Sequence, residues 1–124
     1  MRVKFYSVTI ANNAATSTAF PLGHSRVVGV IVPSAWTAAD ISFEIEHPSG
    51  TWVKVVNRAG ALYKLTGVAT AASEYQLVSG DANQADVIIT GPGDGRIVST
   101  NTASEADANQ GAARTLTVVL ADLT

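Results

Sequence analysis

The fold class is decided by the stretch Ile41-Ser42-Phe43-Glu44-Ile45-Glu46, in which apolar and polar residues alternate without a break. Successive side chains of a β-strand point to opposite faces of its sheet, so this alternation predicts a half-buried strand. We expect the three apolar side chains to face a core and the three polar ones to face solvent. The turn residues Pro48-Ser49-Gly50 follow, and residues 51–56 resume as a second strand, which together predict a β-hairpin.

Short strands of the same kind are predicted along the whole chain, most of them ended by glycine, proline or other turn residues. About nine short strands at spacings of roughly 8–12 residues are typical of an all-β sandwich. We therefore predict a single domain over residues 1–124, an antiparallel β-sandwich that is jelly-roll-like. The predicted strands are residues 3–10, 26–32, 41–46, 51–56, 61–66, 74–78, 86–90, 96–100 and 114–120.

The connections between these strands include one specific pairing and two long loops. Strands 86–90 and 96–100 are expected to pair across the glycine-rich turn Gly91-Pro92-Gly93-Asp94-Gly95, where glycine permits positive φ. Segments 11–18 and 101–113 consist mainly of small side chains with little charge. Loops of this length in a compact domain are often functional. The two segments are either arms that contact a partner or simple surface connections.

The composition excludes several functional classes. The chain has 124 residues, a formal net charge of −2 and no cysteine. A nucleic-acid-binding protein needs a basic surface for phosphates, so we expect no nucleic-acid partner. The lack of cysteine excludes disulfides, thiolate zinc sites and a cysteine nucleophile. Charged residues amount to 15%, against about 25% in an average globular domain. Interface cores are also depleted in charge, so this composition favours a surface that partners largely cover.

No targeting or membrane segment is predicted. The apolar stretch of residues 5–10 is too short for the central region of a signal peptide. No apolar run approaches the roughly 18 residues that a transmembrane helix needs. We therefore expect no membrane partner and a protein that is made and kept in a cytoplasm, or one that is exported by a route not written in the chain.

Catalytic and metal-binding motifs do not emerge from the sequence. His24 and His47 lie in turn contexts without the partners of a catalytic triad or a zinc site. Glu44 and Glu46 lie on one face of the predicted strand, about 7 Å apart, and fit ordinary solvated positions better than a glycosidase pair. Residues 81–86 lack the ligand spacing of a calcium loop. We therefore predict no enzyme, no cofactor and no bound metal.

The aromatic residues leave one binding function open. Sugar rings stack on exposed aromatic side chains, and Trp36 lies in a connection between predicted strands. Together with Tyr63 or Tyr75, an exposed Trp36 would form a carbohydrate-binding surface. The alternative is that Trp36 and Trp52 fill the ends of the core, where large rings pack well.

Three blocks of the sequence resemble a recurrent pattern of small structural proteins of tailed-bacteriophage virions. The first, residues 29–44, contains Pro33-Ser34-Ala35-Trp36-Thr37-Ala38-Ala39-Asp40. The second, residues 49–55, is a turn followed by a tryptophan-containing strand, and the third, residues 109–117, begins Asn109-Gln110-Gly111-Ala112-Ala113-Arg114. The resemblance implies a small β-sandwich of the capsid decoration (cement) class, with a structural role and no catalysis.

Partners and location are implied by this resemblance alone. Decoration proteins bind the outer shell where major capsid subunits meet, so the partner would be the major capsid protein. The protein would lie on the capsid surface of the virion after assembly in the host cytoplasm, as a homo-oligomer (dimer or trimer) at local symmetry axes. The alternatives are a carbohydrate-binding module of a head fibre or baseplate, and a neck or tail adaptor. The candidate partner-binding residues are Trp36, Asn109, Gln110 and Arg114.

Overall fold

The computed structural model describes residues 2–57, 59–65, 75–78, 89–91 and 93–122 of the chain. This part forms eight β-strands and contains no α-helix, and hence no helix that could cross a membrane. The strands are β1 (Val3–Ile10), β2 (Phe20–Pro21), β3 (Ser25–Ile31), β4 (Asp40–Glu46), β5 (Trp52–Lys54), β6 (Tyr75–Leu77), β7 (Asp94–Thr100) and β8 (Arg114–Asp122).

The strands pair into two sheets in which all neighbours are antiparallel. Sheet 1 has the order β1-β8-β3-β6, and sheet 2 has the order β2-β7-β4-β5. Buried apolar side chains of both sheets belong to one core cluster, in which the rings of Phe43 and Tyr63 lie 6.1 Å apart. The predicted all-β class is confirmed, and the two sheets are consistent with the predicted β-sandwich.

Strand β4 carries the alternating stretch that decided the fold class. Ile41 and Phe43 are fully buried and Ile45 packs against the core, which confirms the predicted inward face. The strand pairs with β5 in the predicted hairpin, and Gly50 in the turn has a φ of 91°, a conformation that glycine adopts without strain. Alternation and turn chemistry were therefore sufficient to predict this unit.

The outer side of β4 differs from the prediction, because Ser42 and Glu44 are buried rather than solvated. The Ser42 hydroxyl lies 2.7 Å from the hydroxyl of Thr100, and the Glu44 carboxylate lies 2.6 Å from the guanidinium of Arg96. Both partners belong to the neighbouring strand β7. The polar face of β4 is thus occupied by hydrogen bonds and ion pairs within the protein, which a strand's own pattern cannot reveal.

Two predicted strands lie only partly within the described residues. In the strand predicted at 61–66, the described residues 61–65 make only isolated bridges, at Leu62 and Leu65. Of strand 86–90, only Ile89 and Thr90 are among the described residues. The conclusion drawn for the segment 81–86, that it is not a calcium loop, also concerns residues outside the described part.

The predicted pairing of strand 86–90 with β7 is wrong in the part that the structure describes. Ile89 bridges Val27 of β3, which belongs to the other sheet. Strand β7 is already paired with β4 on one side and with β2 on the other. A glycine-rich turn permits a hairpin but does not select the partner strand, and here the chain crosses to the opposite sheet.

The long polar segments 11–18 and 101–113 lie against the edge of β7. Ser17 and Ala108 donate their backbone N–H groups to carbonyl oxygens of β7 at 2.9 and 2.8 Å. Further along, Gln110 donates its backbone N–H to Ala14 at 2.9 Å, which joins the two segments. Both are therefore fixed to sheet 2, and the end of the segment 11–18 also bonds to β1 of sheet 1.

Candidate protein-interaction surface

Trp36 was a candidate for partner or sugar binding, and the structure places it inside the fold. Its side chain is 7% exposed and belongs to the core cluster. The indole Nε1–H donates to the backbone carbonyl of Ala39 at 3.1 Å, so the polar atom of the ring is satisfied internally. A ring buried in its own core offers no face to a partner, and the assignment of Trp36 to a binding surface is wrong.

The two tyrosines of the carbohydrate alternative differ in exposure. Tyr63 is fully buried, and its hydroxyl donates to the carbonyl of Val78. Tyr75 is 45% exposed at the edge strand β6. The proposed stacking surface of Trp36 with either tyrosine is therefore not formed, and Tyr75 alone keeps an accessible ring.

Gln110 is also buried, with no exposed surface. Its Oε1 accepts the backbone N–H of Thr37 at 2.8 Å, and its Nε2 donates to the Thr37 carbonyl at 3.0 Å and to the Ser99 hydroxyl at 2.8 Å. The carboxamide is thus used within the chain. The assignment of Gln110 to a partner surface is wrong, because its hydrogen-bonding capacity is taken by the two segments it joins.

Asn109 and Arg114 lie beside this buried amide and are more accessible. Asn109 is exposed and Arg114 is half-buried. The Arg114 guanidinium donates to the Thr37 hydroxyl at 3.0 Å and makes a longer contact of 3.4 Å with Gln110. The assignment of both residues to partner binding stays a prediction. Part of the Arg114 guanidinium is already bound to its own chain.

Other polar candidates are also occupied. Glu44 contacts two cations, Arg96 at 2.6 Å and Lys54 at 3.6 Å, and the guanidinium of Arg96 lies 4.4 Å from the centre of the Trp52 ring. The His47 Nδ1 lies 2.8 Å from the Ser49 hydroxyl in the β4–β5 turn. Within the described ranges, no three histidine or carboxylate side chains are grouped as metal ligands. These groups stabilise sheet 2 and its turn.

The surface that the sequence did not identify is the outer side of sheet 1, here called the apolar face. Its side chains alternate with the core residues of β1, β8 and β3, and they lie next to one another across the strands. Val119 is 2% exposed although it is not part of the core cluster, so it is covered from the outside. The apolar face consists of Val3, Phe5, Ser7, Ile31, Tyr75, Thr117 and Val119.

Close packing across this face is visible at Gly29. Val119 lies between Phe5 of β1 and Gly29 of β3 in the sheet register. A Cβ atom on Gly29 would overlap the ring of Tyr75, which means that the ring lies directly over the glycine. The absence of a side chain at Gly29 therefore lets an aromatic ring lie flat on the sheet.

The two outer sides of the sandwich differ in charge. None of the seven residues of the apolar face is charged, and Arg26, which the register sets on the same side opposite Ala121, lies at the end of the sheet. Sheet 2 instead carries ion pairs that reach the segment 101–108, including Lys54 with Asp107 at 3.6 Å and Lys64 with Glu105 at 3.1 Å. One side is held by its own loop, and the other presents exposed apolar side chains such as Phe5 (65%). An exposed, contiguous apolar patch is a mark of protein–protein contact.

A sequence signal for this face does exist. Val8 and Ile10 are core residues, and Val3 and Phe5 lie at odd positions of the same strand, so the two pairs cannot share one face. The apolar residues of β1 therefore point to both sides of the sheet, and in a fold of two sheets no further sheet covers the outer side. Comparison with protein-family models, curated proteins and solved structures finds no match to the chain.

Proposed function

We propose that this protein is a virion structural protein of a tailed bacteriophage, a capsid decoration protein that binds the major capsid protein lattice and stabilises the head. The observation that carries the proposal is the uncharged apolar face, which is exposed while the opposite side of the sandwich is covered by its own segment. Burying one large apolar side chain contributes roughly 1.5–3 kcal/mol, so a few such residues repeated over a lattice stabilise a shell. The resemblance of the three sequence blocks to phage virion proteins supplies the kind of partner.

The proposed fold is a jelly roll. In that topology a long hairpin is wrapped so that its strands pair first with last, second with seventh, third with sixth and fourth with fifth. The pairs β1–β8, β2–β7, β3–β6 and β4–β5 support this description. Jelly rolls occur in viral capsid and lectin domains among others, so the fold is compatible with the proposal but does not by itself imply it.

In this proposal the segments 11–18 and 101–113 act as internal supports rather than as gripping arms. Their backbone groups pair with β7, and Asn109 is the exposed member of the predicted site. Contact with the capsid is made through the apolar face, with the sandwich as a rigid body. A homo-oligomer at a local symmetry axis would repeat this contact on each copy.

The test uses phage heads from which the protein has been stripped. Purified protein is added back, and head rupture is followed during heating. Ile31→Asp places a charge in the apolar face, and Val53→Asp is the matched control, because Val53 is a similarly exposed apolar residue on sheet 2 (48% against 36% for Ile31). We expect the unmodified protein and Val53→Asp to restore heat resistance and Ile31→Asp to fail, with all three equally folded by thermal denaturation.

The same preparation separates the alternatives. Cryo-electron microscopy of labelled virions should place the label over the head. Label confined to the neck or tail would replace the decoration function with that of an adaptor. Heads that keep full heat resistance after stripping would contradict the cementing role. Glycan binding that is lost on Tyr75→Ala would favour the carbohydrate-binding alternative.

A further inference from the structure

The edge of β1 carries backbone groups that no segment in the described part of the chain pairs with. Asp122 donates its N–H to the carbonyl of Arg2 at 3.0 Å, which fixes the phase of the β1–β8 ladder. In an antiparallel ladder, alternate residues direct both backbone groups to the same neighbour. The even-numbered residues of β1 therefore bond to β8, and Val3, Phe5 and Ser7 direct their N–H and C=O groups away from the sheet.

The unpaired part of this strand edge ends at Thr9. Thr18 donates its backbone N–H to the Thr9 carbonyl at 3.0 Å, and its hydroxyl accepts the Thr9 N–H at 3.1 Å. Three consecutive outward positions remain. Proteins usually protect such edges with proline, bulges or lysine, because an open edge is a template for another strand. From Val3 to Ser7 the register with β8 is continuous and no proline occurs, and Lys4 lies 3.4 Å from Asp122 of its own sheet.

We propose that the occupant of this edge is a second copy of the same chain, whose β1 strand pairs antiparallel with the first around a two-fold axis at Phe5. Val3 of one copy then lies opposite Ser7 of the other, and the two Phe5 residues face each other. Three outward positions on each strand give six hydrogen bonds between the copies. Sheet 1 continues without a break from one copy into the other.

The register follows from the charges and from the position of Thr18. A two-fold axis at Val3 or at Lys4 would set Lys4 opposite Arg2 or opposite another Lys4, and like charges directly opposite each other destabilise a sheet. An axis at Tyr6 or Ser7 would use Thr9, whose groups are already bonded to Thr18. The axis at Phe5 sets Lys4 opposite Tyr6 and uses all three open positions. It is the register with the most hydrogen bonds and no opposed cations.

Side-chain burial agrees with this arrangement. Phe5 is 65% exposed and Val3 is 45% exposed, and both lie on the apolar face next to the open edge. Across directly paired positions of an antiparallel sheet, side chains are close enough for aromatic rings to contact each other. The dimer thus covers the most exposed large apolar side chain of the described residues and joins the apolar faces of two copies into one surface.

The proposal is tested on the full-length protein in solution and does not depend on the capsid function. The chain contains no cysteine, so an introduced thiol reports on one position. Phe5→Cys sets two thiols opposite each other across the axis, at a separation compatible with a disulfide. Val3→Cys sets its two thiols four residues apart along the strands, about 13 Å, beyond disulfide reach. Val53→Cys is an exposed control on sheet 2.

The expected result is a dimer by sedimentation and rapid oxidative cross-linking of Phe5→Cys, with Val3→Cys and Val53→Cys largely uncross-linked. The double variant with Val3→Cys and Ser7→Cys should recover cross-linking. A monomer at all concentrations, or Phe5→Cys that cross-links no faster than Val53→Cys, would overturn the proposal. Val3→Cys cross-linking as fast as Phe5→Cys would refute the register, and with it the two-fold axis at Phe5.

Discussion

The side-chain amide of Gln110 pairs with the backbone of Thr37, accepting its N–H at 2.8 Å and donating to its carbonyl at 3.0 Å. The side-chain amide thus makes the two hydrogen bonds that a neighbouring strand would otherwise make with this backbone. The two residues are 73 positions apart, one in the connection between β3 and β4 and the other in the segment before β8. The contact therefore fixes two distant segments of the chain to each other.

Replacement of this amide should be costly although no partner is bound there. Gln110→Ala leaves the Thr37 amide and the buried Ser99 hydroxyl without their partner, and unsatisfied buried groups cost about 1–3 kcal/mol. We expect a loss of that size in the free energy of unfolding, measured by urea denaturation. Asn109→Ala, at the exposed neighbour, should change it by no more than about 0.5 kcal/mol. Equal effects of the two changes would contradict the structural role of Gln110.

Glu44 should also contribute to stability, contrary to what alternation alone suggests. On a solvated strand face, truncation of this carboxylate would be nearly neutral. In the structure its side chain is largely buried against Arg96 and Lys54, and charge-assisted hydrogen bonds contribute about 1.5–3 kcal/mol. We expect Glu44→Ala to lower the midpoint of urea unfolding clearly, whereas Glu46→Ala, two residues on, serves as the control with a small effect. If Glu44→Ala left the midpoint of urea unfolding unchanged, Arg96 would be solvated in the variant without a loss of stability.

The parts of the fold that could be predicted are those set by local pattern. The inward side of β4 and its turn with β5 follow from alternation and from Gly50, because both act within a few residues. The burial of Glu44 depends on Arg96, 52 positions away, and the burial of Trp36 depends on the core that closes over it. Neither leaves a local signal, so the sequence alone predicts a solvated Glu44 and leaves Trp36 open between the core and a binding surface.

The candidate site was harder to predict for a related reason. Segments 11–18 and 101–113 lack an apolar pattern, and polar loops of small residues usually face solvent. Here their backbone groups pair with β7 beyond the two residues that the short strand β2 covers, which is a property of the sheet and not of composition. The apolar face, in contrast, was implied by the parity of Val3 and Phe5. It could be interpreted only once the other side of β1, with Val8 and Ile10, was known to face the core.

Lys64 should hold the segment 101–108 on sheet 2. Its Nζ lies 3.1 Å from Glu105, 3.8 Å from the buried carboxylate of Asp40 and 3.2 Å from the Thr102 carbonyl. Lys64→Met removes the cation beside a carboxylate that is almost fully buried, and removing one partner of a buried pair costs about 3–5 kcal/mol. We expect a large loss of stability together with faster amide hydrogen exchange in residues 101–108.

The control for this change is Lys4→Met, which removes a surface ion pair with Asp122. Exposed pairs contribute between about 0 and 1 kcal/mol, so its effect should be small and should leave exchange in residues 101–108 unchanged. If Lys64→Met were as mild as Lys4→Met, the segment would be held by its backbone hydrogen bonds alone. Exchange rates in the two variants distinguish these two accounts directly.

Gly29 offers a way to alter the apolar face without adding charge. A Cβ at this position would overlap the distal atoms of the Tyr75 ring, which can rotate away, whereas the backbone of β3 need not move. We expect Gly29→Ala to change the free energy of unfolding by less than about 1 kcal/mol, because glycine in a strand is itself unfavourable by a similar amount.

The displaced ring should reshape the apolar face, so rebinding to stripped heads should weaken. Gly111→Ala, where the added Cβ meets its nearest neighbour at 3.6 Å, is the control and should bind normally. Binding that is insensitive to Gly29→Ala in a folded protein would place the capsid contact elsewhere on the sandwich.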